Sequence, residues 1–283
     1  MSEPRTRATG GGAGTDTTSA TGVGGARGAA EVAGSKPQRV VVRVRRQADP
    51  RSDPYWDEFE VPYRPNMNVI VLLSEIRKDP VNRKGETVTP VAWDANCLEE
   101  VCGACSMVIN GRPRQSCTAL VDHLDHPIVL EPMNVFPVVR DLVIDRQKMF
   151  DDLKRMRAWI PIDGTYDLGP GPRVDPEVQE KAYKLSTCFT CGCCLQACPQ
   201  VNPVNPFIGA AIVNQVRLFG LHPTGRMHQP ERLDAVSGPG GIQECGNAQN
   251  CVKVCPKEIP LTESLGAVQR QLTARKIFGM LRR

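Results

Sequence analysis

The chain contains no stretch of about 18 apolar residues, so no segment of it is expected to cross a bilayer as a helix. Its glycine- and threonine-rich N-terminus lacks an apolar h-region, and no secretory signal is expected. Aromatic residues make up only 5% of the sequence and never interleave with a basic stripe, which excludes nucleic acid as a partner by composition. Histidine is nearly absent. His123 and His126 fall in an Asp-rich turn, His222 and His228 flank Pro223-Thr224-Gly225, and none has metal-ligand spacing relative to another, so all four read as surface or satisfied residues. The carboxylate pair Glu99-Glu100 lies inside a cysteine loop, where it shapes a field or meets a partner rather than transferring protons. No catalytic residue is therefore assigned to this chain.

What the sequence does have is cysteine, in three clumps. Cys97, Cys102, Cys105 and Cys117 open as C-x4-C-x2-C, the plant-type [2Fe–2S] spacing. Cys188, Cys191, Cys194 and Cys198, followed by Pro199, form the C-x2-C-x2-C-x3-C-P run of bacterial ferredoxins, with Cys193 as an extra thiol inside it. The third clump, Cys245, Cys251 and Cys255-Pro256, repeats that run with Ala248 where its second cysteine belongs. Twelve cysteines could instead staple a small secreted protein, but a 283-residue chain without a signal favours metal.

In two-cluster ferredoxins the fourth cysteine of each run ligates the other cluster. The expected sets are then Cys188, Cys191, Cys194 and Cys255 around a [4Fe–4S] centre, and Cys198, Cys245 and Cys251 around a second centre. Ala248 leaves that last centre one ligand short, which suits [3Fe–4S], and Cys193 is left as a small buried filler. Four thiolates in the first clump could also hold zinc, although zinc sites more often pair two C-x2-C knuckles and this clump has one.

The organisation along the chain is α+β. Residues 1–36 hold nine glycines and no aromatic residue, and are expected to form a disordered tail. Eight of the basic residues lie in 1–46, giving that stretch +5 and the remainder −1. Val40, Val42 and Val44 alternate with Val41, Arg43 and Arg45 as a half-buried strand, and a second strand is expected near Glu58–Val61. Asn68 is positioned to cap a helix bearing Val69, Leu72, Leu73 and Ile76. Asn110-Gly111 predicts a tight hairpin between Ser106–Ile109 and Arg112–Cys117, and Ile128–Leu130 reads as the last strand. This order matches a β-grasp, plant-type ferredoxin domain over residues 37–148. From Val138 the apolar spacing through Leu142, Val143, Met149 and Leu153 predicts helix. After a Pro/Gly linker at 161–176, helices are expected at 176–187, 207–219, 230–237 and 262–281, making 149–283 an all-α, bacterial-ferredoxin-like two-cluster domain. The last helix, with its basic end Arg275-Lys276 and Arg282-Arg283, reads either as a packing helix or as a contact at a membrane surface.

The cysteine arrangement with its Ala248 gap resembles the iron–sulfur subunit of succinate dehydrogenase and fumarate reductase. The likeness also rests on the segment from Asn96 to Met107, on Arg114-Gln115-Ser116-Cys117 and on Pro137-Val138-Val139-Arg140-Asp141-Leu142, and it spans about Val40 to about Leu272. The resemblance implies a peripheral subunit on the cytoplasmic face of the cell membrane, between a flavoprotein carrying covalent FAD, where succinate is oxidised, and a membrane cytochrome b. Electrons would pass through [2Fe–2S], [4Fe–4S] and [3Fe–4S] to a quinone. Glu99 and Glu100 would lie toward the flavoprotein. Ubiquinone-linked members carry a Trp shortly after the Cys-Pro of the second clump and a His after the first cysteine of the third. Here Pro199-Gln200 and Gly246-Asn247 occupy those neighbourhoods, so the resemblance is to the branch linked to menaquinone and a cytochrome b with two haem b groups, with these four residues near the quinone. The alternatives are the same wire run backwards as quinol:fumarate reductase, a free-standing polyferredoxin, and a zinc-stabilised scaffold.

Overall fold

The computed structural model describes residues 38–161 and 171–281, with side chains to Phe278. The expected disordered tail, most of the linker and Arg282-Arg283 lie outside the described residues. The described chain is one compact unit built around two main apolar cores.

The first half is a mixed five-stranded sheet in the order β2-β1-β5-β3-β4, crossed by a helix. Strand β1 (Arg39–Arg46) pairs antiparallel with β2 (Tyr55–Pro62), placing Val42 opposite Phe59, and parallel with β5 (Ile128–Glu131), placing Val44 opposite Leu130. The alternation of β1 sends Val40, Val42 and Val44 into the core, against Leu72, Leu73 and Ile76 of helix α1 (Val69–Lys78). Asn68 caps α1 as expected, its Oδ1 accepting from the Val71 N–H at 2.9 Å. Strands β3 (Ser106–Ile109) and β4 (Arg112–Gln115) form the expected hairpin, with Asn110 and Gly111 both at positive φ.

The sheet's phase carries one residue further than the valines. Arg46 is on their face and is 2% exposed. Its Nε donates to Asp141 Oδ1 at 2.8 Å, and its two terminal nitrogens reach Asp57 Oδ2 at 3.4 Å and the Thr89 carbonyl at 2.8 Å. Arg46, one of the eight basic residues of 1–46, is thus a buried structural cation.

Two expectations are corrected around residue 138. Ile128–Glu131 is not the last strand, and Val138 does not start a helix. Val138–Arg140 (β6) and Val143–Ile144 (β7) form a small hairpin turning at Asp141, whose φ is +48°. Asp141 tolerates that conformation because its carboxylate accepts from the Gln47 and Ala92 N–H groups at 3.1 and 2.9 Å, besides Arg46. These distant partners decide what a six-residue apolar pattern cannot. Helix begins only at α2 (Gln147–Arg155).

The second half is mostly helical. It comprises α3 (Pro176–Ser186), α4 (Cys193–Gln196), α5 (Ala210–Leu221), α6 (Pro223–Arg226), α7 (Gln229–Val236), α8 (Asn250–Lys253) and α9 (Leu261–Leu281). Helix α5 is the centre, with Ala210 to Val216 all buried. Its Asn214 is fully buried because both ends of the amide are used: Nδ2 donates to the Leu185 carbonyl at 3.1 Å and Oδ1 accepts from Ser264 Oγ at 3.0 Å. Leu261, Leu265, Val268 and Leu272 of α9 pack into this core. Arg275 is not part of a free basic end, since it pairs with Asp234 at 2.7 Å and donates to the Pro230 carbonyl at 2.7 Å. Beyond it Ile277 and Phe278 are exposed. Among the described residues, no helix is long and apolar enough to cross a membrane.

Candidate metal centres

The first thiol set is held by an irregular loop between α1 and β3. Leu98, Glu100 and Gly103 all take positive φ, which turns successive amides inward. The N–H groups of Glu99, Val101 and Cys102 donate to Cys97 Sγ at 3.4, 3.4 and 3.3 Å, and that of Ala104 donates to Cys102 Sγ at 3.4 Å. The Glu99 and Val101 amides, in that order, bring the Cys97 thiol down to about 7 despite its partial desolvation. Cys117 enters from beyond the β3–β4 hairpin, and Cys105 and Cys117 are buried beside Ile70. Burial first, then the Cys105 thiol, pushes Cys117 up to about 12. Asn68 fastens this corner, its Nδ2 donating to the Cys117 carbonyl at 2.8 Å.

Cys188, Cys191, Cys194 and Cys255 line one small cavity with Phe189 and Ile259 among its walls. Burial raises the Cys188 and Cys194 thiols, with further contributions from the neighbouring sulfurs. Cys191 is raised by a hydrogen bond with Cys193 first and by burial second. Three thiols so raised cannot ionise together unless a positive core lies between them, which is the condition a thiolate-ligated cluster meets.

Cys198, Cys245 and Cys251 line a second small cavity, and Ala248 is in its wall. Asn247 and Gln249 both have positive φ, so the chain doubles back around Ala248 before α8. Cys251 is raised by burial and then by Cys198 and Cys245. Pro199, Gln200, Gly246 and Asn247 line the same cavity, so the structure gathers these residues of the sequence reading around the third thiol set. Cys245 and Asn247 also border an open groove.

Cys255 shares a cavity with Cys188, Cys191 and Cys194, and Cys198 shares one with Cys245 and Cys251, where α4 packs beside α8 and the Asn250 Nδ2 donates to the Ala197 carbonyl at 3.1 Å. Cys193 faces neither cavity and is fully buried. The four histidines take no part in any thiol set, and the His222 imidazole is used locally, accepting from the Gly225 N–H at 3.4 Å.

Sequence reasoning missed how the first set meets the second. Gly103, at φ +71°, passes so close to the second loop that a Cβ there would stand 2.8 Å from the Cys191 Cα. One nitrogen of Arg146 donates to the carbonyls of Gly103 and Thr190 at 3.0 and 3.1 Å, joining both loops. Neither contact leaves a local signal in the sequence.

Fold and thiol arrangement define a multi-centre iron–sulfur protein, a plant-type ferredoxin half joined to a bacterial-type one. A family model for a 2Fe-2S iron-sulfur cluster binding domain matches residues 41–151, and one for a 4Fe-4S dicluster domain matches 184–259. The chain is 61% identical to the succinate dehydrogenase iron-sulfur subunit of Bacillus subtilis (strain 168), covering 83% of this chain and 94% of that protein. It is 30% identical to the fumarate reductase iron-sulfur subunit of Wolinella succinogenes, over 79% of this chain and 92% of that protein. A chain of the Mycobacterium smegmatis Sdh1 complex in the apo form has the same fold, with a TM-score of 0.70, 23% identity, and coverage of 84% of this chain and 97% of that one. The chain belongs to the succinate dehydrogenase and fumarate reductase iron–sulfur subunit family.

Proposed function

We propose that this chain is the electron-transfer subunit of a succinate:quinone oxidoreductase, set between an FAD-bearing flavoprotein and a membrane cytochrome b with two haem b groups, with menaquinone as the acceptor. The observation that carries the reading is the serial arrangement of the three thiol sets. The first meets the second through Gly103 and Arg146. The second meets the third through α4 and α8.

When bound, [2Fe–2S], [4Fe–4S] and [3Fe–4S] clusters supply one-electron storage at three successive stations. Cys97, Cys102, Cys105 and Cys117 would hold the first. Cys188, Cys191, Cys194 and Cys255 would hold the second, and Cys198, Cys245 and Cys251 the third. Inward amides at the first set stabilise negative charge on sulfur. Ala248 gives the third set a corner without a ligand. Leu98 and Val101, each more than half exposed on the first loop, suit a flavoprotein contact beside Glu99 and Glu100. Pro199, Gln200, Gly246 and Asn247 face the opposite end of the series, the side suited to the quinone and the cytoplasmic face of the membrane. A ferredoxin-like half at 37–148 and a helical half at 149–283 divide the work between the two ends. Succinate oxidation belongs to the flavoprotein. The 61% and 30% identities favour the succinate direction over the fumarate one.

Low-temperature EPR on the anaerobically purified complex tests this, with iron and zinc content measured beside it. A [3Fe–4S] signal in the oxidised state and a [2Fe–2S] signal on reduction are expected, together with a co-purifying subunit that carries covalent flavin. A colourless zinc protein, or a chain that purifies as a free shuttle, overturns the proposal.

A further inference from the structure

A loop that turns its amides toward sulfur leaves carbonyl oxygens for other donors to satisfy. In the first loop the Glu99, Val101, Cys102 and Ala104 N–H groups point at sulfur, and the Gly103 carbonyl, at φ +71°, is presented to Arg146. The second loop presents the carbonyl of Thr190, a β-branched residue held at φ +50°, to the same side chain. The Gly103 carbonyl also takes the Ser106 hydroxyl at 2.8 Å, but among the described residues the Thr190 carbonyl has no donor other than Arg146. Two such oxygens brought to one junction repel each other unless a donor lies between them.

Arg146 supplies that donor. Both bonds leave one nitrogen, Nη1, at 3.0 and 3.1 Å, so the fork that distinguishes arginine is not what the junction uses. It uses one nitrogen with two protons at the end of a long stem. On local grounds the position suits this residue badly. Arg146 occupies the N-cap of α2, where Ser, Thr, Asp or Asn would accept from a free amide and where a cation opposes the helix dipole. Its side chain makes no cap, and among the described residues it pairs with no carboxylate. A residue set against its local preference, with its donors spent between two thiol loops, points to the junction rather than to the helix.

We propose that Arg146 is a positioning residue that clamps the loops of the first and second thiol sets together, so that its side chain sets the spacing between the two centres. Gly103 is its complement. A Cβ there would stand 2.8 Å from the Cys191 Cα and 3.1 Å from Arg146 Nη1, so the clamp closes on bare backbone. Electron passage between two centres weakens steeply with distance, and hydrogen bonds to both loops fix a separation that packing alone would leave loose. The inference rests on the ligand sets proposed for the first two centres.

The test reads the spacing by EPR. Two paramagnetic centres close together speed each other's spin relaxation, by an amount that falls steeply with their separation. The assembled complex is reduced with dithionite until both signals are present, and the microwave power that saturates the [2Fe–2S] signal is measured. Arg146→Met keeps a long stem and removes both donors, and is expected to lose most of the acceleration seen in the native complex while both centres remain occupied. Arg146→Lys, which returns a nitrogen with donors to the end of such a stem, is expected to keep it. An effect on α2 alone predicts neither result, because methionine removes the charge that opposes the dipole and lysine retains it. Native relaxation in Arg146→Met overturns the proposal, and a lowered [2Fe–2S] midpoint beside it would show that the residue acts by charge alone. A native complex in which the two signals relax independently overturns it as well. Should Arg146→Met fail to assemble, the lysine variant decides, since a [2Fe–2S] signal that relaxes there as an isolated centre also overturns the clamp. A native complex lacking either signal refutes the ligand sets instead.

Discussion

Arg46 shows what a single residue can contribute when its charge is taken out of water. The guanidinium is 2% exposed and is balanced by Asp141 and Asp57. Removing one partner of such a pair costs far more than the pair itself contributes, about 3–5 kcal/mol, because the remaining charge is left buried. Asp141→Asn keeps the size and the left-handed turn but puts an NH₂ group where Arg46 Nε or the Ala92 N–H donates. A loss of about 3–5 kcal/mol is expected, read as a lower urea midpoint at unchanged slope; a change under 1 kcal/mol would count against the network. Its logic was legible in part. The period-2 pattern of Val40, Val42 and Val44 assigns Arg46 to the buried face, whereas its partners lie 11 and 95 positions away and leave no local mark. Ala248 makes the opposite point, because spacing alone marks it. Ala248→Cys is expected to replace the oxidised [3Fe–4S] signal with a [4Fe–4S] centre of lower potential and slower quinone reduction. An unaltered [3Fe–4S] spectrum in that variant contradicts the assignment of Cys245 and Cys251.

Elements whose signals are local were readable, and those fixed by distant contacts were not. The Asn110-Gly111 turn, the Asn68 cap and the long helices of the second half follow from propensity and periodicity. The β6–β7 hairpin does not, because Val138 to Val143 is too short to separate a helix from a strand and Asp141 is held by Arg46, Gln47 and Ala92. The short helices α4 and α8 are single turns whose surroundings are cysteine loops, so no amphipathic stripe announces them. Asn68 ties element to site, capping α1 through Oδ1 and holding the Cys117 carbonyl through Nδ2. Asn68→Ala loses both and should destabilise by about 1–2 kcal/mol. Asn68→Ser keeps a cap oxygen and should recover the helix contribution but not the Cys117 contact. Thermal melts of the two variants check this, and equal losses in both would mean the cap contributes nothing.

At the scale of the molecule the two halves are not independent modules joined by a linker. Val108, Met133 and Phe136 belong to the first half in sequence, yet they pack in the core of the second alongside Met149, Leu195 and Val213. Gly192, at φ +88°, lets the second loop approach Phe136, where a Cβ would stand 2.8 Å from the ring. Burying such side chains is worth about 1.5–3 kcal/mol each, so exposing three of them costs roughly 5–9 kcal/mol. The whole stability of a domain is of order 5–15 kcal/mol. A fragment of residues 38–148 is therefore expected to be marginal on its own, binding a hydrophobic dye and lacking a cooperative melt, even though its sheet resembles that of a free-standing ferredoxin. A fragment that melted cooperatively near the temperature of the full chain would show that the shared core is dispensable. The coupling has a functional side, because across the same two halves Gly103 and Arg146 join the loops of the first two thiol sets. A chain that must hold three centres in series keeps its spacing by making the junction between the first two part of a core.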